Sequence, residues 1–309
     1  MRRLLMILLG LAVITGFSAG PAMAIQIHTG TSASPGTVLF YDDFESAVLG
    51  GDPNNGSNPG NWVTPIPHAG MNTIDTSVGG VGVAWAGGGT QSLFRTEQSG
   101  TGSRTTLTAD FANTVNSGPI HFETMFRWRG ADPDFGGDVC GPNNNPPFGN
   151  NPCMKPFTPL IKLTPEGVDP DTGGASDGNM FKLAILHNKM YWNGGHGGTH
   201  GTGYLSNLNF NYDGNDWFKV EIDHEVGQQD FIITVTDMVN DPDGNSSKTQ
   251  TATRLVATTN IGRFGFDMGN EYAHANWDNV GAIVPEPATA LMLVVGLLSL
   301  ACWPRRKRD

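Results

Sequence analysis

Charged residues are scarce in this 309-residue chain: they make up 15% of it, where a typical soluble protein has about 25%. The shortage argues against a coiled coil or a helical bundle, whose surfaces need Glu and Lys in quantity. Basic residues are the scarcer kind, because 18 Lys and Arg stand against 29 Asp and Glu, for a formal charge of -11. Nucleic-acid binding depends on a basic surface, so this balance argues against a nucleic-acid partner.

The first 24 residues have the pattern of a secretory signal peptide. Arg2 and Arg3 form a positive start, Leu4–Phe17 is an apolar run, and Pro21–Ala24 supplies a small-x-small cleavage pattern. We therefore expect residues 1–24 to form a signal helix that is removed on export. An uncleaved N-terminal anchor is the alternative.

The other end of the chain carries a second address. Pro285, Glu286 and Pro287 precede an apolar run, Ala288–Trp303, whose sixteen residues would rise about 24 Å as a short transmembrane helix. A basic cluster then marks the cytoplasmic side: Arg305, Arg306, Lys307 and Arg308.

Residues 284–309 resemble a PEP-CTERM sorting signal. The resemblance implies processing by a membrane-embedded transpeptidase, exosortase. It also implies an inner-membrane intermediate and export to the cell surface or extracellular matrix. A plain C-terminal membrane anchor is the alternative, and it too would place the body of the protein outside the cytoplasm.

Cysteine is nearly absent from the exported part, which holds only Cys140 and Cys153 of the three in the chain. In an oxidising compartment such a pair predicts a disulfide. It would close an Asn- and Pro-rich loop and stabilise the fold by roughly 2 to 3 kcal/mol. Its role would be structural.

The body of the chain alternates apolar and polar residues with a period of two, the pattern of β-strands. Residues 120–128, 220–226 and 231–237 show it best, and the 42 Gly and 20 Pro supply turns between strands. Further candidate strands cover residues 38–44, 81–86, 105–111, 180–186, 189–192, 251–258, 262–267 and 275–283. We therefore predict an all-β fold, a two-sheet antiparallel β-sandwich or jelly roll over residues 37–283, after a flexible leader at 25–36.

Three segments, in this order, resemble the concanavalin A-like lectin/glucanase superfamily in its laminin-G-like branch. Residues 39–45 open the domain, residues 216–222 lead into a hairpin with 231–237, and Asn276–Val280 closes it. The resemblance implies that an early Asp-Phe strand pairs with a final strand containing Asp, next to the termini.

Glu221, Asp223 and Glu225 share one face of a predicted strand. They resemble the active-site strand of family 16 glucanases, which implies Glu221 as nucleophile, Asp223 as its helper and Glu225 as acid/base. His224 occupies a position that is apolar in that motif. The alternative, which we expect, is a strand face of acids that point into water, with no catalytic residue.

Asp42 and Asp43 near the start and Asp278 near the end are candidate ligands of a structural calcium ion. Ca²⁺ takes six to eight oxygen ligands, and carboxylates supply them. An ion here would join the first and last strands. Ordinary turn and edge-strand acids are the alternative.

Tyr191, Trp192 and Tyr204 flank a glycine-rich segment, Asn193–Gly201. Aromatic rings bury apolar area and keep a polar tip, so they suit the faces of sugar rings. We take these three residues as the candidate carbohydrate platform, with burial in the core as the alternative.

These observations predict an exported, surface- or matrix-sorted jelly-roll protein that binds or organises extracellular polysaccharide without catalysis. A glycoside hydrolase using Glu221, Asp223 and Glu225 is the first alternative. A structural matrix or adhesion protein without a sugar ligand is the second.

Overall fold

The computed structural model describes residues 36–44, 62–63, 72–75, 92–96, 106–131, 159–168, 179–186, 188–195, 198–212, 216–240, 247–267 and 273–285. The chain divides into two units, Met1–Ser34 and Pro35–Asp309, and all of these residues belong to the second. The predicted signal peptide, the cysteines Cys140 and Cys153, and the sorting signal from Glu286 onward lie outside them.

Fifteen strands occupy the described ranges, and no α-helix occurs there. They are β1 Gly36–Asp42, β2 Trp62–Val63, β3 Asn72–Asp75, β4 Ser92–Thr96, β5 Leu107–Val115, β6 Gly118–Ala131, β7 Leu160–Thr164, β8 Phe181–Ile185, β9 Met190–Gly194, β10 Thr202–Leu205, β11 Trp217–Val226, β12 Asp230–Asp237, β13 Lys248–Thr253, β14 Ile261–Asp267 and β15 Ala273–Pro285. Within the same ranges, no helix has the length and apolar character to cross a membrane.

The strands form two sheets. The eight-stranded sheet has the order β13-β12-β11-β6-β15-β4-β3, with β1 also paired to β15, and the seven-stranded sheet has the order β10-β9-β8-β7-β14-β5-β2. The strand pairs are antiparallel in both sheets. The predicted two-sheet antiparallel sandwich is confirmed.

Strand β15 ties the first part of the chain to the last. It pairs with β6 on one side, while β4 and β1 pair with successive parts of its other side. Asp42 lies opposite Val280 and Gly36 opposite Pro285, so the early Asp-Phe strand does pair with the final strand. The sheet thus takes in Gly36 and Pro285, just beyond the predicted domain limits of 37 and 283.

Sequence patterning located most of these strands but misplaced some. The strand predicted over residues 251–258 is wrong after Thr253, because Arg254 leaves the ladder and its amide donates to the carbonyl of Gln229. β7 was not predicted, since five residues between Pro159 and Pro165 show little periodicity. β10 was not predicted either. It contains Gly203, where a Cβ would lie 3.1 Å from the indole Nε1 of Trp192, so the glycine lets this strand lie close to that ring.

Aromatic rings from both sheets form the centre of the core. Phe181 of the seven-stranded sheet stacks on Phe231 of the eight-stranded sheet at 4.0 Å between centroids. Phe266 and Trp277 stack across the sandwich in the same way at 4.1 Å. Each such pair contributes about 1 kcal/mol beyond the area it buries, so these contacts hold the two sheets in one alignment.

His224 extends one of these stacks, which explains why a histidine occupies an apolar position of the strand. Its ring lies parallel to Phe231 at 3.8 Å. Nδ1 lies 2.8 Å from the carbonyl oxygen of Asp230, and Nε2 lies 2.5 Å from Thr258 Oγ1. Burial lowers the pKa of His224 to about 4, so the ring is neutral in the folded protein at neutral pH.

A pH dependence of stability follows from His224. In the unfolded chain its pKa is about 6.5, so between pH 6.5 and 4 the unfolded state takes up a proton that the folded state does not. The free energy of unfolding therefore decreases as the pH is lowered from 6.5 to 4, by on the order of 3 kcal/mol from this group. His224→Gln keeps hydrogen-bonding capacity and removes the titration, so the variant should lose less stability on acidification.

Urea denaturation of both proteins from pH 7 to pH 4 measures the effect. Other titrating groups contribute equally to wild type and variant, so the difference between the two curves reports His224. Parallel curves would contradict the assignment of a neutral, buried imidazole.

Candidate functional site

The outer face of the eight-stranded sheet, which points away from the other sheet, carries buried polar side chains. Five residues lie opposite one another across β12, β11, β6, β15 and β1, and they are Thr234, Glu221, Glu123, Gly281 and Tyr41. The alternate residues of the same strands belong to the hydrophobic core. The register therefore places two carboxylates, Glu123 and Glu221, directly opposite each other.

Cations surround these two carboxylates. Lys219 Nζ lies 3.1 Å from Glu221 Oε1. His121 Nε2 lies 3.5 Å from Glu123 Oε2, and His121 Nδ1 donates to Asp223 Oδ1 at 2.7 Å. We call these five residues the imidazole–carboxylate cluster. Four are buried, and only Asp223 reaches solvent, with 51% of its side chain exposed.

For His121 and for Glu221, burial and the neighbouring charges shift the pKa in opposite directions. Burial alone would lower the pKa of His121, but the carboxylates of Asp223 and Glu123 raise it to about 9. Burial raises the pKa of Glu221, and the ammonium of Lys219 opposes that rise. The cluster is thus a set of groups whose charges depend on one another, which is typical of functional sites.

The predicted strand of solvent-facing acids is confirmed at two positions and wrong at the third. Asp223 and Glu225 are exposed, whereas Glu221 is 4% exposed. Glu221 lies in the middle of the sheet against β6, which the sequence of β11 does not reveal. Held by Lys219 and buried, Glu221 is not presented to a substrate as the nucleophile of the glucanase motif would be.

The other half of this outer face is open. It lies on β11, β12 and β13, and its exposed members are hydroxyls, carboxylates and one isoleucine. We call this set the open face: Asp223, Glu225, Asp230, Ile232, Thr249, Thr251 and Thr253. Thr253 Oγ1 donates to Asp230 Oδ1 at 2.6 Å, and Thr249 bonds across to Thr234 at 3.0 Å. These bonds fix the side chains of an extended, polar surface.

Two of the residues predicted to bind calcium, Asp42 and Asp278, accept hydrogen bonds within the protein. Asp42 is buried, and its two carboxylate oxygens accept hydrogen bonds from the amide of Phe44 and from Trp62 Nε1, both at 2.8 Å. Burial raises the pKa of Asp42 to about 6, although these bonds oppose the rise. Asp278 Oδ1 accepts a bond from the amide of Asn279 at 2.7 Å.

A different group meets the distance requirement of a metal site. In the described part of the chain, the ligand atoms that gather within 4.8 Å of one another belong to His121, Glu123 and Glu221. Asp42, Asp43 and Asp278 do not belong to this group, and the calcium assignment to them stays a prediction. The contact of Asp42 with a tryptophan twenty positions away was not visible in the sequence.

Two of the three residues predicted as the carbohydrate platform are buried, and only Tyr204 is partly exposed. Tyr191 and Trp192 are buried, and Tyr204 meets Tyr191 edge-on at 5.2 Å. The Nζ of Lys189 lies 4.4 Å from the centroid of the Tyr204 ring. A Cβ at Gly201, where φ is 101°, would lie 2.8 Å from the indole of Trp192. The glycine thus lets the backbone approach that ring closely, and Trp192 is 7% exposed.

No protein-family model matches the sequence, and no curated protein matches it significantly. Several solved structures are similar to the chain. Lectin II from Ulex europaeus is 11% identical, with 71% of this chain and 95% of the lectin covered and a TM-score of 0.38. The T. cruzi calreticulin globular domain is 13% identical, with 86% of this chain and 95% of that domain covered and a TM-score of 0.47. The binding domain of Paraclostridial Mosquitocidal Protein 1 is 10% identical, with 85% of this chain and 52% of that chain covered and a TM-score of 0.41. These distant similarities concern the fold alone.

The ion pair of Lys219 and Glu221 makes a stability prediction. Lys219→Met leaves Glu221 buried without its cation, which should lower the free energy of unfolding by roughly 3 kcal/mol. The double variant Lys219→Met/Glu221→Leu removes both charges and should recover most of that loss. Urea denaturation at neutral pH measures all three proteins. A double variant as unstable as the single one would show that an unpaired charge is not the cause.

Proposed function

We propose that this protein is exported, sorted to the cell surface or extracellular matrix, and binds extracellular polysaccharide there without cleaving it. The observation that carries the proposal is the open face on β11, β12 and β13. Hydroxyl and carboxylate groups in fixed positions are suitable hydrogen-bond partners for sugar hydroxyls. A three-stranded surface of this kind is about 10 Å across, since neighbouring strands lie about 4.8 Å apart, and an extended polymer can lie along it.

The geometry supports binding over hydrolysis. Retaining glycoside hydrolysis needs one carboxylate that attacks the sugar and a second that supplies a proton. Glu221 is buried against Lys219, and Asp223 is bound to His121. The two carboxylates of the motif that belong to the cluster are therefore engaged by cations of the protein itself.

The topology supports attachment at one end of the sandwich. Gly36, where β1 begins, pairs with Pro285, where β15 ends, so the chain enters and leaves the sandwich at neighbouring positions. The sorting signal predicted from residue 284 onward would then tether the sandwich by the end of β15. β13, which carries part of the open face, is an edge strand of the eight-stranded sheet and lies four positions from β15 in the strand order.

The open face makes the binding proposal testable. Thr251→Lys places a long side chain on β13 opposite Ile232 of the open face and should weaken retention on an insoluble polysaccharide at least tenfold. Asn113→Lys introduces the same residue at an exposed position of the other sheet and should bind like wild type. Co-sedimentation of the purified proteins with a panel of insoluble polysaccharides measures retention.

Each outcome has a distinct meaning. Wild-type retention on no polymer, from a folded sample, would contradict sugar binding and favour a structural matrix role. Equal retention of both lysine variants would place binding elsewhere on the molecule. Release of soluble sugar that is abolished by Glu221→Gln would overturn the non-catalytic proposal.

The sorting proposal has its own test. Glu286→Ala removes the central residue of the Pro-Glu-Pro motif, so the unprocessed chain should accumulate in the inner-membrane fraction of the cells that produce it. Asp309→Ala, at the far end of the tail, should be processed as wild type. Immunoblots of membrane and surface fractions distinguish the two, and normal processing of Glu286→Ala would contradict recognition of the motif.

A further inference from the structure

The imidazole–carboxylate cluster has the composition of a transition-metal site. His121 and Glu123 are two residues apart on β6 and so share one face, and Glu221 projects beside them from β11. All three side chains are buried, and one ligand atom of each lies within 4.8 Å of the others. Imidazole nitrogen with carboxylate oxygen is a ligand set suited to zinc and its neighbours, whereas calcium takes oxygen ligands.

The histidine is already oriented as a metal ligand. Its Nδ1 is held by Asp223 at 2.7 Å, the carboxylate–histidine arrangement that fixes the ring of zinc-bound histidines. Its Nε2 makes no hydrogen bond although the residue is 3% exposed, and it lies 3.5 Å from Glu123 Oε2. Two ligand atoms of a tetrahedral site with bonds of 2.0–2.1 Å are about 3.3 Å apart. The observed separation is close to that value.

The charges of the cluster also match a divalent cation. A metal ion replaces the proton on His121 Nε2, and with the imidazole then neutral the carboxylates of Glu123, Glu221 and Asp223 outnumber the single ammonium of Lys219 by two charges. Lys219 contacts Glu221 through Oε1, so Oε2 of the same carboxylate can face a cation. A divalent ion would therefore bring the cluster to neutrality and separate two carboxylates that otherwise repel each other.

We propose that His121, Glu123 and Glu221 bind a divalent transition-metal ion of the zinc type, with Asp223 orienting the histidine. The site lies beside the open face on the same side of the eight-stranded sheet, and metal binding there does not depend on the proposed polysaccharide binding. It stiffens the centre of the eight-stranded sheet by linking β6 to β11 through their side chains.

The test is zinc titration of the full chain in detergent after chelator treatment. Wild type should bind one equivalent of Zn²⁺ and melt at a higher temperature with the metal than without it. His121→Gln and the near-isosteric Glu221→Gln should bind that equivalent at least tenfold more weakly. The matched control is His224→Gln, the same substitution at a histidine of β11 that stacks on Phe231 in the core, and it should bind like wild type. Circular dichroism without metal reports whether each variant is folded.

X-ray absorption at the zinc edge of the wild-type complex gives a readout that needs no variant. One imidazole in a shell of oxygen ligands supports the proposal. Several imidazoles, or none, would overturn it, as would a folded His121→Gln or Glu221→Gln variant that binds zinc as tightly as wild type.

Discussion

The opposition of two buried carboxylates is the constraint on which the outer face of this sandwich depends. Glu123 and Glu221 lie directly across from each other on β6 and β11, and like charges in that position repel. Lys219 and His121 supply the compensating positive charge from the same two strands. Replacing any one of these groups leaves the buried charges of the others unbalanced, so we expect this part of the sheet to tolerate substitution only when several of them change together.

This constraint divides one sheet face into two regions with different roles. On β6 and the adjoining part of β11, polar side chains are buried and bind one another. On β12, β13 and the end of β11, polar side chains are exposed and available to a partner. Strand β11 belongs to both regions, because Glu221 is buried while Glu225, four residues later, is exposed. A ligand on the exposed region would therefore contact the buried region through Asp223.

Local patterning was sufficient to predict the fold but only part of the candidate site. Alternation of apolar and polar residues identified β6, β11 and β12, because each has one face in the core. The same alternation marked Glu221 and Asp223 as neighbours on one face. It could not show that His121 and Glu123 lie against them, since that depends on the register between strands far apart in the chain. For the same reason Trp192 looked available, although the backbone at Gly201 covers it.

The position of β15 has a mechanical consequence. This strand lies inside its sheet, with β6 on one side and β4 and β1 on the other, and it ends at Pro285. A pulling force applied at Pro285 runs along the strand, so the hydrogen bonds on both of its edges are loaded in shear and share the force. A strand at the edge of a sheet would instead be peeled away one bond at a time. A sandwich pulled at this end of β15 therefore resists tension better than one pulled at an edge strand.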